Sequence, residues 1–103
     1  MTRKVLIPIM DEDIAPRFDL AIEALVVVVD SRGNIKKRRE IVLQRASAEE
    51  LCGLALVEGV DTVLCNGIED EYFQYLSWKH VKVIDSILTD YPGALEMLAA
   101  SQE

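Results

Sequence analysis

The stretch GVDTVLCNGI, residues 59–68, decides the fold that we predict for this chain. Gly59 can end a helix, because glycine readily adopts the left-handed conformation that follows a helix C-terminus. The branched apolar run at 60–65 is typical of a strand buried on both faces. Asn66-Gly67 then predicts a turn, and the acids that follow predict the start of a helix. This order indicates a parallel α/β unit, in which ligands bind beyond the C-terminal ends of the strands.

Length and composition point to one domain spanning residues 1–103. Half of the residues are hydrophobic, which argues against a disordered chain. The formal net charge of −7 argues against a nucleic-acid partner, because such a protein must neutralise phosphates. No apolar stretch approaches the roughly 20 residues of a membrane-spanning helix, and no secretory signal is recognisable. We therefore expect a cytoplasmic protein without a membrane partner, in which Cys52 and Cys65 form no disulfide.

Three strands are predicted before the deciding stretch. The runs VLIPI at 5–9 and ALVVVV at 24–29 are typical of buried strands, and consecutive valines favour a sheet over a helix. Turn residues at 30–34 predict a hairpin to a third strand at 35–43. The basic run KKRR at 36–39 predicts an exposed edge strand, because charges at an edge prevent pairing with other chains. A basic docking patch is the alternative interpretation.

Capping signals predict three helices. The motif SAEE at 47–50 is a capping box, which predicts a helix that Gly59 ends. A second helix is predicted at 70–79, and a final strand at 81–84. Asp90 is expected to cap the last helix.

The predicted element order is β-β-β-α-β-α-β-α. The simplest arrangement is a mixed five-stranded sheet in the order 3-2-1-4-5, with strand 2 antiparallel. This is an α/β, ribonuclease H-like three-layer domain. It places the loop at 10–17, which Phe18 anchors on the core, and the corner at 65–71 at one end of the sheet. A two-metal nuclease needs carboxylates on the central strands. Neither 5–9 nor 60–65 ends in an acid, so we do not predict a nuclease.

Two acidic triplets, at 11–13 and 69–71, would lie at that same end of the sheet. Their summed field could attract a cation. Acids in the first turn of a helix also stabilise the helix dipole, and acids in loops are commonly solvated. We favour this structural explanation, because the spacing matches no metal-ligand pattern. No catalytic grouping, phosphate-binding loop or dinucleotide motif is present, so we expect no enzyme.

Cys65 has two interpretations. A thiolate at the end of a strand and near a helix N-terminus has a lowered pKa, and it could bind a metal or a cluster. A small buried hydrophobic residue that finishes the strand is the commoner role. Cys52 is expected to pack within its helix. His80, the only histidine, has no paired cysteine or carboxylate and is not expected to bind a metal.

Three stretches resemble the dinitrogenase iron-molybdenum cofactor biosynthesis family, whose members are small domains that carry or bind metal clusters. They are IAPRFDLA at 14–21, GVDTVLCNGI at 59–68 and VKV at 81–83. The likeness covers nearly the whole chain in order and length. Where the family often has His-Phe-Gly, this chain has Arg-Phe-Asp at 17–19. An imidazole can bind a metal, whereas a guanidinium can only pair with an anion.

The resemblance implies a non-catalytic domain that binds or carries an iron-sulfur or molybdenum-containing cluster, or a related anionic ligand. Its partner would be a protein that donates or accepts the cluster, and we expect a monomer or a homodimer. The expected site residues are Arg17, Phe18, Cys65, Asn66 and Gly67. Arg17 would supply charge, Phe18 a wall and Cys65 a metal ligand, while the amides at 66–67 would face an anion. The alternative is a protein-interaction module that has lost cluster binding.

Overall fold

A mixed sheet forms the centre of the molecule and separates two layers of helices. The computed structural model describes residues 2–11 and 13–100, with side chains up to residue 98. The strands are β1 (Arg3–Met10), β2 (Asp13–Ile14), β3 (Glu23–Val29), β4 (Ile35–Val42), β5 (Thr62–Leu64) and β6 (Lys82–Ile84). The helices are α1 (Ala48–Glu58), α2 (Asp70–Trp78) and α3 (Tyr91–Ala100), with a short 3-10 helix at Phe18–Leu20. The α/β class is therefore confirmed.

The sheet has six strands rather than the predicted five. Five of them lie in the order β4-β3-β1-β5-β6, and β2 pairs with β1. β3 is antiparallel to both of its neighbours, whereas β1, β5 and β6 are parallel. The sequence analysis misses β2, because its two residues, Asp13 and Ile14, are too few to show an alternating pattern. β2 folds directly back on the end of β1, pairing Ile14 with Ile9.

Each face of the sheet has its own apolar layer. Successive side chains of a strand point to opposite faces, so Val5 and Ile7 pack on the α3 side while Leu6 packs on the α1 and α2 side. Leu51 of α1 and Leu76 of α2 join the second layer. All five side chains are fully buried. Each contributes about 1.5–3 kcal/mol by leaving water, and these layers hold the helices on the sheet.

The basic strand β4 lies at an edge of the sheet, as predicted. Among the described residues it pairs only with β3, and all of its side chains except Ile41 are exposed. The two arginines of β4 have partners on opposite faces of the sheet. Arg38 donates to the hydroxyl of Tyr91 at 2.5 Å, and Arg39 pairs with Glu58.

The helix caps follow the sequence signals. The hydroxyl of Ser47 accepts a hydrogen bond from the amide of Glu50 at 3.2 Å, and Gly59 ends α1 with a φ of 69°. The carboxylate of Asp90 accepts from the amide of Gly93 at 2.9 Å, which caps α3. Within the described residues, no helix is long and apolar enough to cross a membrane.

Replacement of Ser47 by alanine should lower the free energy of unfolding by about 1 kcal/mol, because the amide of Glu50 loses its acceptor. Urea unfolding followed by circular dichroism measures this change. Ser77→Ala is the matched control, because Ser77 is an exposed residue within α2 where alanine favours the helix. An equal effect of the two substitutions would contradict the capping role.

Candidate functional site

Two loops meet at the edge of the sheet where β1, β5 and β6 end. Arg17 and Gly67 form a parallel bridge. The amide of Phe18 donates to the carbonyl of Gly67 at 2.7 Å, and the amide of Gly67 donates to the carbonyl of Pro16 at 2.9 Å. The loop after β2 is thereby joined to the corner between β5 and α2. The prediction that the loop at 10–17 and the corner at 65–71 lie at one end of the sheet is confirmed.

Gly67 is needed at this bridge for space rather than for a turn. Its φ is not positive, in contrast to Gly33 and Gly59. A Cβ atom at position 67 would lie 2.9 Å from the carbonyl oxygen of Pro16 and 3.8 Å from Cγ of Arg17. Real Cβ atoms do not come that close to a backbone oxygen. The chain does bend at Asn66, as predicted, and the close approach of two backbones is the reason for the glycine at position 67.

The side chain of Arg17 points outward and is 57% exposed. Its guanidinium makes two hydrogen bonds to the carboxylate of Asp19, at 3.0 and 2.8 Å. An exposed ion pair of this kind contributes only about 0–1 kcal/mol. The guanidinium can therefore exchange Asp19 for another anion at little cost.

Phe18 points the other way, into the core. It is 1% exposed, and its ring lies 6.5 Å from the ring of Tyr72, measured between centroids. This position suits the predicted anchor of the loop. It does not suit a wall of a ligand cavity.

Cys65 is completely buried directly after β5. Its amide donates to the carbonyl of Ile84 at 3.0 Å, and its carbonyl accepts from the amide of Ile87 at 3.1 Å. Burial, followed by the negative charge of Asp85, raises the pKa of the Cys65 thiol to about 12. The expectation that this pKa is lowered is wrong, because the buried thiolate loses its hydration and faces the charge of Asp85. Cys52 is also buried, and its pKa is raised to about 11 by burial and by Glu49.

A cavity of about 350 Å³ lies at this edge of the sheet. Of the predicted site residues, only Asn66 lines this cavity. Arg17 does not line it, although the preceding residue, Pro16, does. The full lining is Met10, Asp11, Asp13, Ile14, Pro16, Asn66, Leu88 and Thr89. We call this space the edge cavity.

The two predicted acidic triplets lie in different surroundings, one at the edge cavity and the other at the start of a helix. Asp11 and Asp13 line the cavity, whereas Glu12 of the same triplet lies outside the described residues. Asp70 and Glu71 lie in the first turn of α2, where they complement the helix dipole. Among the described residues, no group of three His, Cys, Asp or Glu side chains could hold a metal ion.

The sequence analysis misses the loop after β6. Leu88 and Thr89 of this loop line the edge cavity, and the carbonyl of Thr89 accepts from the amide of Ile14 at 3.3 Å. The side chain of Leu88 is 83% exposed. The sequence contained part of the information needed to find this loop. The loop follows a predicted parallel strand, and it therefore lies at the edge of the sheet where ligands bind.

Comparisons with known proteins show the fold. No family model and no curated protein matches the chain. The solved structure of PH0822 superposes with a TM-score of 0.85 at 15% identity, covering 96% of this chain and 90% of that one. The chain shares this fold. A "putative dinitrogenase" of Methanocaldococcus jannaschii has a TM-score of 0.78 at 18% identity, covering 97% and 90% of the two chains. A "putative NifB protein" from Thermotoga has a TM-score of 0.70 at 16% identity, covering 96% and 89%.

Replacement of Gly67 by alanine should destabilise the protein by about 1–3 kcal/mol, because the added methyl group overlaps the carbonyl oxygen of Pro16. Gly53→Ala is the matched control. A Cβ atom at position 53 meets nothing within 4 Å, so this change should raise stability by up to about 1 kcal/mol through helix propensity. Urea unfolding measures both. Equal stability of Gly67→Ala and the wild type would contradict the close approach at the bridge.

The thiol of Cys65 should resist alkylation in the folded protein. At pH 8 iodoacetamide should modify it roughly a thousandfold more slowly than an exposed cysteine of pKa about 8.5, because burial blocks access and disfavours the thiolate. Mass spectrometry of peptides locates and quantifies the modification, and unfolding in urea provides the fully reactive control. Rapid alkylation of Cys65 without urea would contradict its burial.

Proposed function

We propose that this chain is a non-catalytic, cytoplasmic domain that binds or carries an anionic metal cluster of the iron-sulfur or iron-molybdenum type. The same proposal places it among ribonuclease H-like domains of the dinitrogenase iron-molybdenum cofactor biosynthesis family. One observation is the main support for the proposed binding of a cluster. The backbone bridge between Arg17 and Gly67 brings an exposed guanidinium to the edge where the parallel strands end. The shared fold with chains described as a "putative dinitrogenase" and a "putative NifB protein" supports it.

The charge of Arg17, rather than a thiolate, would retain the cluster. Clusters with sulfide and thiolate ligands are anions, and a guanidinium offers an anion several donors in one plane. Asn66 is half-buried on the edge cavity and can add a neutral amide donor. Cys65 does not fit a ligand role in this conformation, since it is buried and protonated at neutral pH. Ligation by Cys65 stays a prediction that requires the thiol to become exposed and ionised.

The surrounding acids limit how tightly such a cluster could be held. Asp11 and Asp13 line the edge cavity, and Asp19 competes for the guanidinium of Arg17. Their charges repel an anion that Arg17 attracts. Weak and reversible binding follows, and this suits a carrier, which must pass its cluster to a protein partner. The protein would act in this way as a monomer or as a homodimer.

Protein purified without oxygen from its native host should contain iron or molybdenum together with acid-labile sulfide, in a fixed ratio to the chain. Arg17→Ala should reduce the bound cluster by about tenfold or more, because a hydrogen bond to a charged group contributes about 1.5–3 kcal/mol. Arg17→Lys should retain much of the binding. Arg32→Ala is the matched control, since Arg32 is an exposed arginine in the turn at the opposite end of the sheet.

Cys65→Ser separates the two ways of holding a cluster. It should leave binding unchanged if Arg17 holds the anion, and it should abolish binding if the thiolate is a ligand. A wild-type protein without metal and sulfide would contradict the carrier role. Full binding by Arg17→Ala would contradict the role of the guanidinium.

A further inference from the structure

A second cavity, of about 410 Å³, lies between α1 and α2. Its volume is within the range of about 300–1,000 Å³ that is usual for ligand sites. Three residues of α1 and three of α2 line it: Glu49, Cys52, Gly53, Glu71, Tyr72 and Tyr75. We call this space the interhelical groove. It shares no lining residue with the edge cavity.

The groove carries uncompensated negative charge. Glu49 and Glu71 are exposed, and within the described part of the chain neither carboxylate has an ion-pair partner. The neighbouring Glu50 differs, because its carboxylate lies 3.4 Å from the guanidinium of Arg45. Partial burial raises the pKa of the Tyr72 hydroxyl, and three carboxylates raise it further, those of Glu71, Glu49 and Glu69. The field in the groove therefore favours a cation.

The aromatic side of the groove is also suited to a cation. Tyr72 and Tyr75 both line the groove. The adjoining surface of α2 already binds a cation of this chain, since the ammonium of Lys79 lies 4.5 Å from the ring centroid of Trp78 and 5.9 Å from that of Tyr75. The faces of aromatic rings attract cations at such distances.

Gly53 opens the groove at the middle of α1. Glycine within a helix is less favourable than alanine, and packing here gives no reason for it. A Cβ atom at position 53 would meet no heavy atom within 4 Å, and the φ of Gly53 is not positive. A larger side chain at this position would project into the groove. The glycine thus weakens the helix and leaves the groove open.

We propose that the interhelical groove binds an arginine side chain from a basic segment of a partner protein. The guanidinium would lie between the carboxylates of Glu49 and Glu71 and against a tyrosine ring. Arginine fits better than lysine, because its planar group pairs with carboxylates through two hydrogen bonds and stacks on aromatic rings. The proposal uses other residues than the cluster site, so it stands or fails independently of cluster binding.

A second copy of the chain is a less suitable occupant. The longest basic run of this chain is KKRR at 36–39 in β4, where both arginines are already engaged. Arg38 contacts Glu40 and Tyr91, and Arg39 pairs with Glu58. Insertion into the groove of another copy would break these pairs.

Titration of the full chain with a capped peptide, Gly-Gly-Arg-Arg-Gly-Gly, tests the proposal. Nuclear magnetic resonance at low salt should show shifted amide signals at the residues that line the groove. A peptide with citrulline in place of arginine has the same shape without the charge. It should bind about tenfold more weakly or worse, since hydrogen bonds to charged groups are about twice as strong as neutral ones. Free arginine amide should also bind more weakly, because it lacks the flanking backbone.

Three variants test whether the peptide binds in the interhelical groove. Gly53→Leu should fill the groove and reduce peptide affinity by about tenfold or more, while the thermal midpoint stays equal to or above that of the wild type. The double change Glu49→Gln and Glu71→Gln should reduce affinity similarly and weaken its salt dependence. Glu96→Gln is the control that removes a carboxylate away from the groove, since Glu96 is an exposed residue of α3 in the opposite layer. It should bind as the wild type does.

Several outcomes would overturn the proposal. Equal binding of the citrulline peptide would exclude recognition of the guanidinium, and wild-type affinity in Gly53→Leu would exclude the groove. Free arginine amide that binds as tightly as the peptide would indicate a small-molecule site instead of a protein partner. Shifts at the same residues on raising the concentration of the chain alone, with sedimentation showing dimers, would identify a second copy as the occupant.

Discussion

The contact between two backbones at Arg17 and Gly67 is the constraint on which the candidate site depends. It requires a residue without a Cβ atom, because the carbonyl of Pro16 occupies the space that a side chain at 67 would take. The bridge sets the direction of the loop, so that Phe18 is buried in the core while the guanidinium of Arg17 remains in solvent. The same hydrogen-bonded bridge therefore holds Phe18 in the core and places the positive charge of Arg17 at the edge of the sheet.

The guanidinium of Arg17 and the interhelical groove would attract ligands of opposite charge. At the edge, Arg17 provides the positive group that an anionic cluster would need, although Asp11 and Asp13 weaken its field. In the groove, Glu49 and Glu71 have no ion-pair partner among the described residues and attract a cation. A carrier must bind both a cargo and a protein partner. Separate surfaces of opposite sign would let the two bind without competing for the same residues.

Much of the fold follows from local sequence patterns. The consecutive valines of β3, the cap at Ser47 and the αL glycine at 59 each act over a few residues, and the structure confirms all three. The charged strand β4 lies at an edge because charge excludes it from the interior. The two-residue strand β2 could not be predicted, since its pairing with β1 depends on the path of the chain rather than on a repeating pattern.

The candidate site shows where the sequence alone stops. The sequence determined that the loop at 10–17 and the corner at 65–67 belong to the same edge, because the ends of parallel strands meet there. Only the tertiary structure decided that Cys65 is buried with a raised pKa and that Gly67 makes a close backbone contact. It also decided that α1 and α2 leave an acidic groove between them. Desolvation, close approach and interhelical space depend on residues far apart in the chain, and no local pattern records them.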